Sequence, residues 1–126
     1  MIEFSVDLPN RPGQLAQLAR ELGEARINIR ALSALTIGDQ GTVRLVVDDE
    51  AAARRVLADS GIGYAERRIV SATLRDKPGA LAELADALAA NGTNIEALYL
   101  LSSNGQEMKF AIAVDDPEYV GNGTAV

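Results

Sequence analysis

The chain opens with strict alternation. Ile2, Phe4, Val6 and Leu8 interleave with Glu3, Ser5 and Asp7, the two-residue period of a strand that buries one face and turns the other to solvent. After Asn10-Arg11-Pro12-Gly13 the period changes. Leu15, Leu18, Ala19 and Leu22 fall at i, i+3, i+4 and i+7 with Gln14, Gln17, Arg20, Glu21 and Glu24 largely off that stripe, which predicts an amphipathic helix lying on a sheet. Proline sets φ where a helix begins and lacks the amide that would be orphaned there, and glycine beside it lets the backbone turn sharply. The run therefore predicts a strand-to-helix corner. Arg26 stands where a left-handed glycine usually ends such a helix, at a cost of order 1 kcal/mol if it takes that geometry.

Ile27 to Ile37 reads as a second strand, Gly38-Asp39-Gln40-Gly41 as a turn, and Thr42 to Val47 as the hairpin partner. Asp48 or Asp49 then caps a helix through Ala51, Ala52, Ala53, Val56 and Leu57 that stops at Ser60-Gly61. No other ligand type lies near the paired aspartates, so capping is preferred to metal or acid/base chemistry. From Gly63 to Leu74 the chain reads as extended. The spelling is β-α-β-β-α-β.

It then restarts. A shift of 66 positions lays Leu8 on Leu74, Pro12 on Pro78, Gly13 on Gly79, Leu15 on Leu81, Leu18 on Leu84, Leu22 on Leu88, Asn28 on Asn94 and Ile29 on Ile95. This period is too long for a solenoid repeat and suits a small domain. Two modules are expected, 1–70 and 71–126. The second reads as a helix from Pro78 to Ala90 ending at Asn91-Gly92, a strand from Asn94 to Leu101, a turn at Ser103-Asn104-Gly105 and a strand from Glu107 to Val114. Beyond Asp115-Asp116-Pro117 only a short tail follows, so the second module is expected to stop after its third strand. Leu98 to Leu101 and Phe110 to Val114 are consecutively apolar, so both faces of those strands need cover. An isologous homodimer is the simplest expectation.

Composition narrows the chemistry. Of 126 residues 48% are hydrophobic and 24% charged, a globular balance. The absence of cysteine and histidine excludes disulfides, thiolate or imidazole metal sites, and triads built on histidine. No convergent set of carboxylates, lysines or tyrosines stands in for them, so an enzyme is not expected. The formal charge of −6 argues against nucleic acid, whose phosphates are bound by Lys and Arg. No apolar run reaches the roughly 20 residues of a membrane span, and no basic segment followed by an apolar one opens the chain. A cytoplasmic protein without membrane contact or cofactor is expected.

The duplicated corner followed by Ile27-Asn28-Ile29 and Thr93-Asn94-Ile95 resembles the ACT-domain family, and over residues 2 to about 116 the chain is similar to small stand-alone proteins of two such modules. The resemblance implies an α+β fold of ferredoxin-like βαββαβ modules, with antiparallel sheets carrying helices on one face. It also implies a regulatory role in which an amino acid binds between modules, near the Pro-Gly loops. Carried over residue by residue, it implies binding by Asn10, Arg11, Gly13, Gln14, Asn28 and Ile29, and by Asp76, Lys77, Gly79, Ala80, Asn94 and Ile95. The residues offer the chemistry independently: helix N-terminal amides suit a carboxylate, and Asn or Asp oxygens suit an ammonium. Helix capping is the plainer use of Asn10 and Asp76, and binding is preferred to it. Asn10 stands where many family members have Asp, and Ala80 lacks the polar group of Gln14, so unequal sites are expected. The alternative is a subunit that pairs with an amino-acid biosynthetic enzyme without itself binding ligand.

Overall fold

The alternating segments form strands and the 3.6-period segments form helices in a computed structural model that describes residues 1–115. One compact unit spans Ile2–Arg67. It runs β1 (Ile2–Pro9), α1 (Gln14–Glu24), β2 (Ile29–Ile37), β3 (Gln40–Val47), α2 (Glu50–Asp59) and β4 (Tyr64–Arg68). Its sheet has the order β2-β3-β1-β4, with β3 antiparallel to both β1 and β2. Alternate residues Phe4, Val6 and Leu8 of β1 and Val43, Leu45 and Val47 of β3 pack with Leu18 and Leu22 of α1 and Leu57 of α2. Both helices therefore cover one face, the ferredoxin-like arrangement.

The second unit takes the chain from Arg68 onward together with Met1. It runs β5 (Val70–Arg75), α3 (Ala80–Ala90), β6 (Ile95–Ser103) and β7 (Glu107–Val114) in the order β5-β7-β6. Ala72, Leu74, Ala80, Leu84, Leu88, Ile112 and Val114 form its core. These are the counterparts of the first three strands and first helix of the other unit, and the described part ends there. The tail expected after Asp115 lies outside the described residues. No helix among the described residues is long and apolar enough to cross a membrane.

The duplication persists into the register. Ile29 pairs Val47 and Ile95 pairs Val114, with the same irregularity one residue later, at Arg30 and at Glu96. Ala34 pairs Val43 and Leu100 pairs Phe110. The offset is 66 through β6 up to Leu100 and 67 beyond it, because Leu101 is an extra residue accommodated as a bulge between Leu100 and Ser102. The capping aspartate is Asp49, whose Oδ1 accepts from the Ala52 amide at 3.0 Å. Asp48 instead joins strands: its Oδ1 accepts from the Asn28 amide at 3.0 Å, as Asp115 accepts from Asn94 at 2.9 Å.

Three expectations change. The first hairpin turn is shorter than the sequence implies, only Gly38 and Asp39, because β3 already starts at Gln40. Glu3, on the expected solvent face of β1, is 1% exposed. Its carboxylate tolerates burial because Arg67 of β4 lies 2.8 Å away and Arg44 of β3 lies 3.6 Å away. The need for cover is met on one expected strand and not the other, and a third strand shares it: Leu100 of β6 is 48% exposed. Ala111, Ile112 and Ala113 of β7 are buried within the chain, whereas on β2 Leu35 is 64% and Ile37 77% exposed.

Helix α1 ends as the sequence warned. Arg26 has φ 61°, its amide meeting Gly23 O and the Ile27 amide meeting Leu22 O. Arg26→Gly should stabilise the protein by about 0.5–1 kcal/mol, the relief of left-handed strain less the added freedom of the unfolded chain. Gly61→Ala, at φ 68°, should destabilise it by about 1 kcal/mol; urea titration of both variants checks the pair. The Arg54 guanidinium of α2 grips Glu66 of β4 through Nε at 2.9 and 3.0 Å and Nη2 at 2.8 Å. That hydrogen bonding holds the Glu66 carboxyl below the ordinary glutamate value. Since the folded value is depressed, the contribution is present above the unfolded pKa and is lost as pH falls through the folded one. A carboxyl-detected NMR titration should show Glu66 titrating low, and Arg54→Ala should return it to the ordinary range.

Candidate functional site

Both corners are built alike. Gly13 and Gly79 stand at the N-caps of α1 and α3 with φ 88°, ψ −11° and φ 89°, ψ −12°, a left-handed conformation that glycine adopts without penalty. Asn10 N–H donates to Asp39 O at 2.8 Å and Arg11 N–H to Pro9 O at 2.9 Å; Asp76 and Lys77 repeat this on Gln106 and Arg75, both at 2.9 Å. The Gln14 and Ala80 amides fold back on Arg11 O and Lys77 O at 3.4 and 3.3 Å, long for a hydrogen bond. A Cβ built on either glycine would meet nothing within 4 Å. Positive φ, rather than crowding, is what demands glycine here.

Neither helix has a side-chain cap. Asn10, read as a cap or a ligand, does not cap: its Nδ2 donates to Gly38 O at 3.0 Å, fixing the amide so that Oδ1 is the end left to accept. Asp76 is exposed and its carboxylate has no partner among the described residues. The two corners thus keep oxygen atoms beside N-terminal amides, which is what an ammonium and a carboxylate together require.

In the first unit this corner opens into a cavity of about 140 Å³. Asn10, Arg11 and Gln14 line one side, and Leu15 together with Ala34 and Leu35 of β2 lines another. A larger cleft of about 270 Å³ lies across Gln14, beside Gln17, Glu21, Ser60 and Ile62; of the expected binding residues it has only Gln14. Ser60 Oγ there donates to Glu21 at 2.8 Å. The smaller cavity is the candidate, because the motif residues converge on it.

Asn28 and Ile29 are not at this cavity. Within the module β1 and β2 both run antiparallel to β3, so the corner follows the end of β1 at Pro9, opposite Gln40, while Ile29 lies opposite Val47 at the other end. Seven strand steps separate them, roughly 24 Å at about 3.4 Å per residue. Asn94 and Ile95 stand in the same relation to the second corner, Ile95 opposite Val114 and Arg75 opposite Glu107. Ala80 is 3% exposed and packs in the second core, so only its backbone can serve a ligand. No group of three or more metal-ligating side chains occurs among the described residues.

Sequence reasoning missed the wall of this cavity. Ile27 to Ile37 read only as a strand, and which of its residues rim an opening depends on its place at the sheet edge.

Residues 2–61 match the family model described as the ACT domain. Among solved structures, protein BT0572 from Bacteroides thetaiotaomicron is 26% identical with a TM-score of 0.88, over 96% of this chain and 83% of that one. The ligand-free regulatory subunit of aspartate kinase from Thermus thermophilus has the same fold, at 19% identity and a TM-score of 0.74, over 96% and 85% of the two chains. No curated protein matches the sequence.

If Asp76 is poised for a ligand and Asp49 is a cap, their alanine variants should differ. Asp76→Ala should leave stability within about 0.5 kcal/mol of the parent, and Asp49→Ala should lower it by about 1 kcal/mol, both read by urea denaturation.

Proposed function

Because residues 2–61 match the ACT-domain model, we propose that the protein is a non-catalytic ACT-type regulator that binds a free amino acid between modules, at the Pro-Gly corners. The observation that carries the reading is the open corner itself: a left-handed glycine, a helix N-terminus without a side-chain cap, and Asn10 turned with its oxygen free beside Arg11. The α-carboxylate meets Arg11 and the amides; the ammonium meets Asn10 Oδ1. The cavity of about 140 Å³ is well below the roughly 300 Å³ at which ordinary small-molecule pockets begin. It is half a site. Asn28 of a second copy supplies the other half if the two edge strands meet antiparallel, so that the far end of one strand lies beside the corner of the next. A homodimer is the simplest source, and β2, an unpaired edge carrying exposed Leu32, Leu35 and Ile37, is the seam it would use. The same exposed edge favours the second reading, a subunit that docks on a biosynthetic enzyme without ligand.

A thermal-shift screen against the twenty amino acids should give at least one with a raised melting temperature, equivalent to about 2.7 kcal/mol at a hundred times its Kd. Arg11→Ala should remove the shift at the first corner and Lys77→Ala at the second. Light scattering should report a dimer at micromolar concentration. A monomer under all conditions would remove the two-module site, and no shift with any amino acid would leave the docking subunit as the function.

A further inference from the structure

We infer that the corner of the first module selects amino acids with an aliphatic side chain of three or four carbons, the valine, leucine and isoleucine class. The inference rests on reading that corner as an amino-acid site and adds what the walls accept. Arg11 is the sole ionised side chain lining the cavity, and no carboxylate lines it. One ligand carboxylate is therefore matched and a second charge is not. Leu8, Leu15, Ala34, Leu35 and Val43 make up the hydrocarbon wall. Of the two hydroxyls, that of Thr42 already donates to Asp7 at 3.2 Å.

Set against such a wall, the second ammonium of lysine or the second carboxylate of aspartate loses water without gaining a partner, a cost of several kcal/mol for an unpaired charge. Threonine, the hydroxyl isostere of valine, is discriminated more weakly, by up to about a hundredfold in an apolar pocket. Size limits the other end. The side chain lies in this half of the site while the charged end is shared with the second module; an apolar cavity of about 150 Å³ takes about six carbons, so the cavity of about 140 Å³ suits the four-carbon side chain of leucine or isoleucine and falls short of the seven-carbon benzyl group of phenylalanine. The selectivity belongs to this corner alone. By the register, the places of Ala34, Thr42 and Val43 are taken in the second module by Leu100, Lys109 and Phe110, which bring a cation and a ring where the first has small or aliphatic groups.

Isothermal titration of the full 126-residue chain with leucine, isoleucine, valine, threonine, lysine, aspartate and phenylalanine tests this. At least one aliphatic amino acid should bind ten times more tightly than any of the other four, and Leu35→Asp should weaken it at least tenfold. Leu35→Thr, which puts a β-branched residue suited to a strand in its place, should weaken it several-fold and decides the matter should the aspartate variant fail to fold. Tightest binding by lysine, aspartate, threonine or phenylalanine, abolished by Arg11→Ala, would overturn the selectivity and leave the corner as the site. Leucine binding indifferent to both Arg11→Ala and the Leu35 variants would place the ligand elsewhere and overturn both. No binding by any of the seven, with a thermal shift from some other amino acid, would overturn the selectivity alone; no response to any amino acid would overturn the site with it.

Discussion

Everything at these corners follows from one backbone torsion. A helix normally starts from an extended residue whose side chain folds back to occupy the first free amides. At Gly13 and Gly79 the starting residue is left-handed instead and has no side chain at all. The first turn is entered from the opposite side, the neighbouring Asn10 is drawn away to Gly38, and the positive end of the helix is left toward solvent. Stability would be better served by a serine cap, and that choice is declined at the same place in two modules. The torsion also determines where the second helical residue points. Leu15 and Leu81, apolar residues at equivalent positions, both stay exposed beside the open corner, so the polar helix end acquires an apolar rim.

The second constraint is the length of the sheet. The motif residues form two groups, one at the corner and one at the start of β2, and a single module holds them at opposite ends. No side-chain movement closes such a gap. On the proposed reading, ligand and module pairing therefore need each other: the ligand gains its second set of contacts only when two modules are joined. By mass action, whatever binds the joined form alone stabilises it in proportion to occupancy. A regulator built this way requires no internal conformational switch, because the association of two preformed edges is itself the two-state element.

How much of this could be read from the sequence depended on whether the signal was local. The Pro-Gly corners, the amphipathic helices and the hairpin pairings rest on neighbouring residues and emerge as expected, the first hairpin with a shorter turn. The strained end of α1 was legible too, since Arg26 sits in a place that Gly92 fills after α3. What failed was non-local. Glu3 follows the polar beat of β1, and only the arrival of Arg67 on β4 and Arg44 on β3 makes its burial tolerable. The apolar runs of β2 and β7 look alike in sequence, but β7 lies between β5 and β6 and β2 lies at an edge; strand order, which pattern does not encode, decides which is covered. The candidate site divides the same way. The corner residues were named from local chemistry and the family resemblance, whereas the cavity wall from β2 depends on pairing.

The duplication finally argues that the two corners are not equivalent. Their N-cap glycines share one torsion and their backbone hydrogen bonds match, so the difference lies in side chains. The first presents neutral Asn10 beside cationic Arg11; the second presents Asp76 beside Lys77. An incoming carboxylate thus meets a net positive corner in one case and a neutral one in the other. At about 4 Å a unit charge is worth about 1 kcal/mol in water and about 4 kcal/mol at a protein surface, enough to separate two otherwise identical sites by a factor of ten or more. Ala80, turned into the core, removes the polar group that Gln14 offers. On the proposed reading the second copy keeps the torsion and lacks that side-chain contact, while the Asp76 carboxylate favours the ammonium end of a ligand more than Asn10 does. Each corner then meets both ends of a zwitterion, and the two differ in which end they hold more strongly.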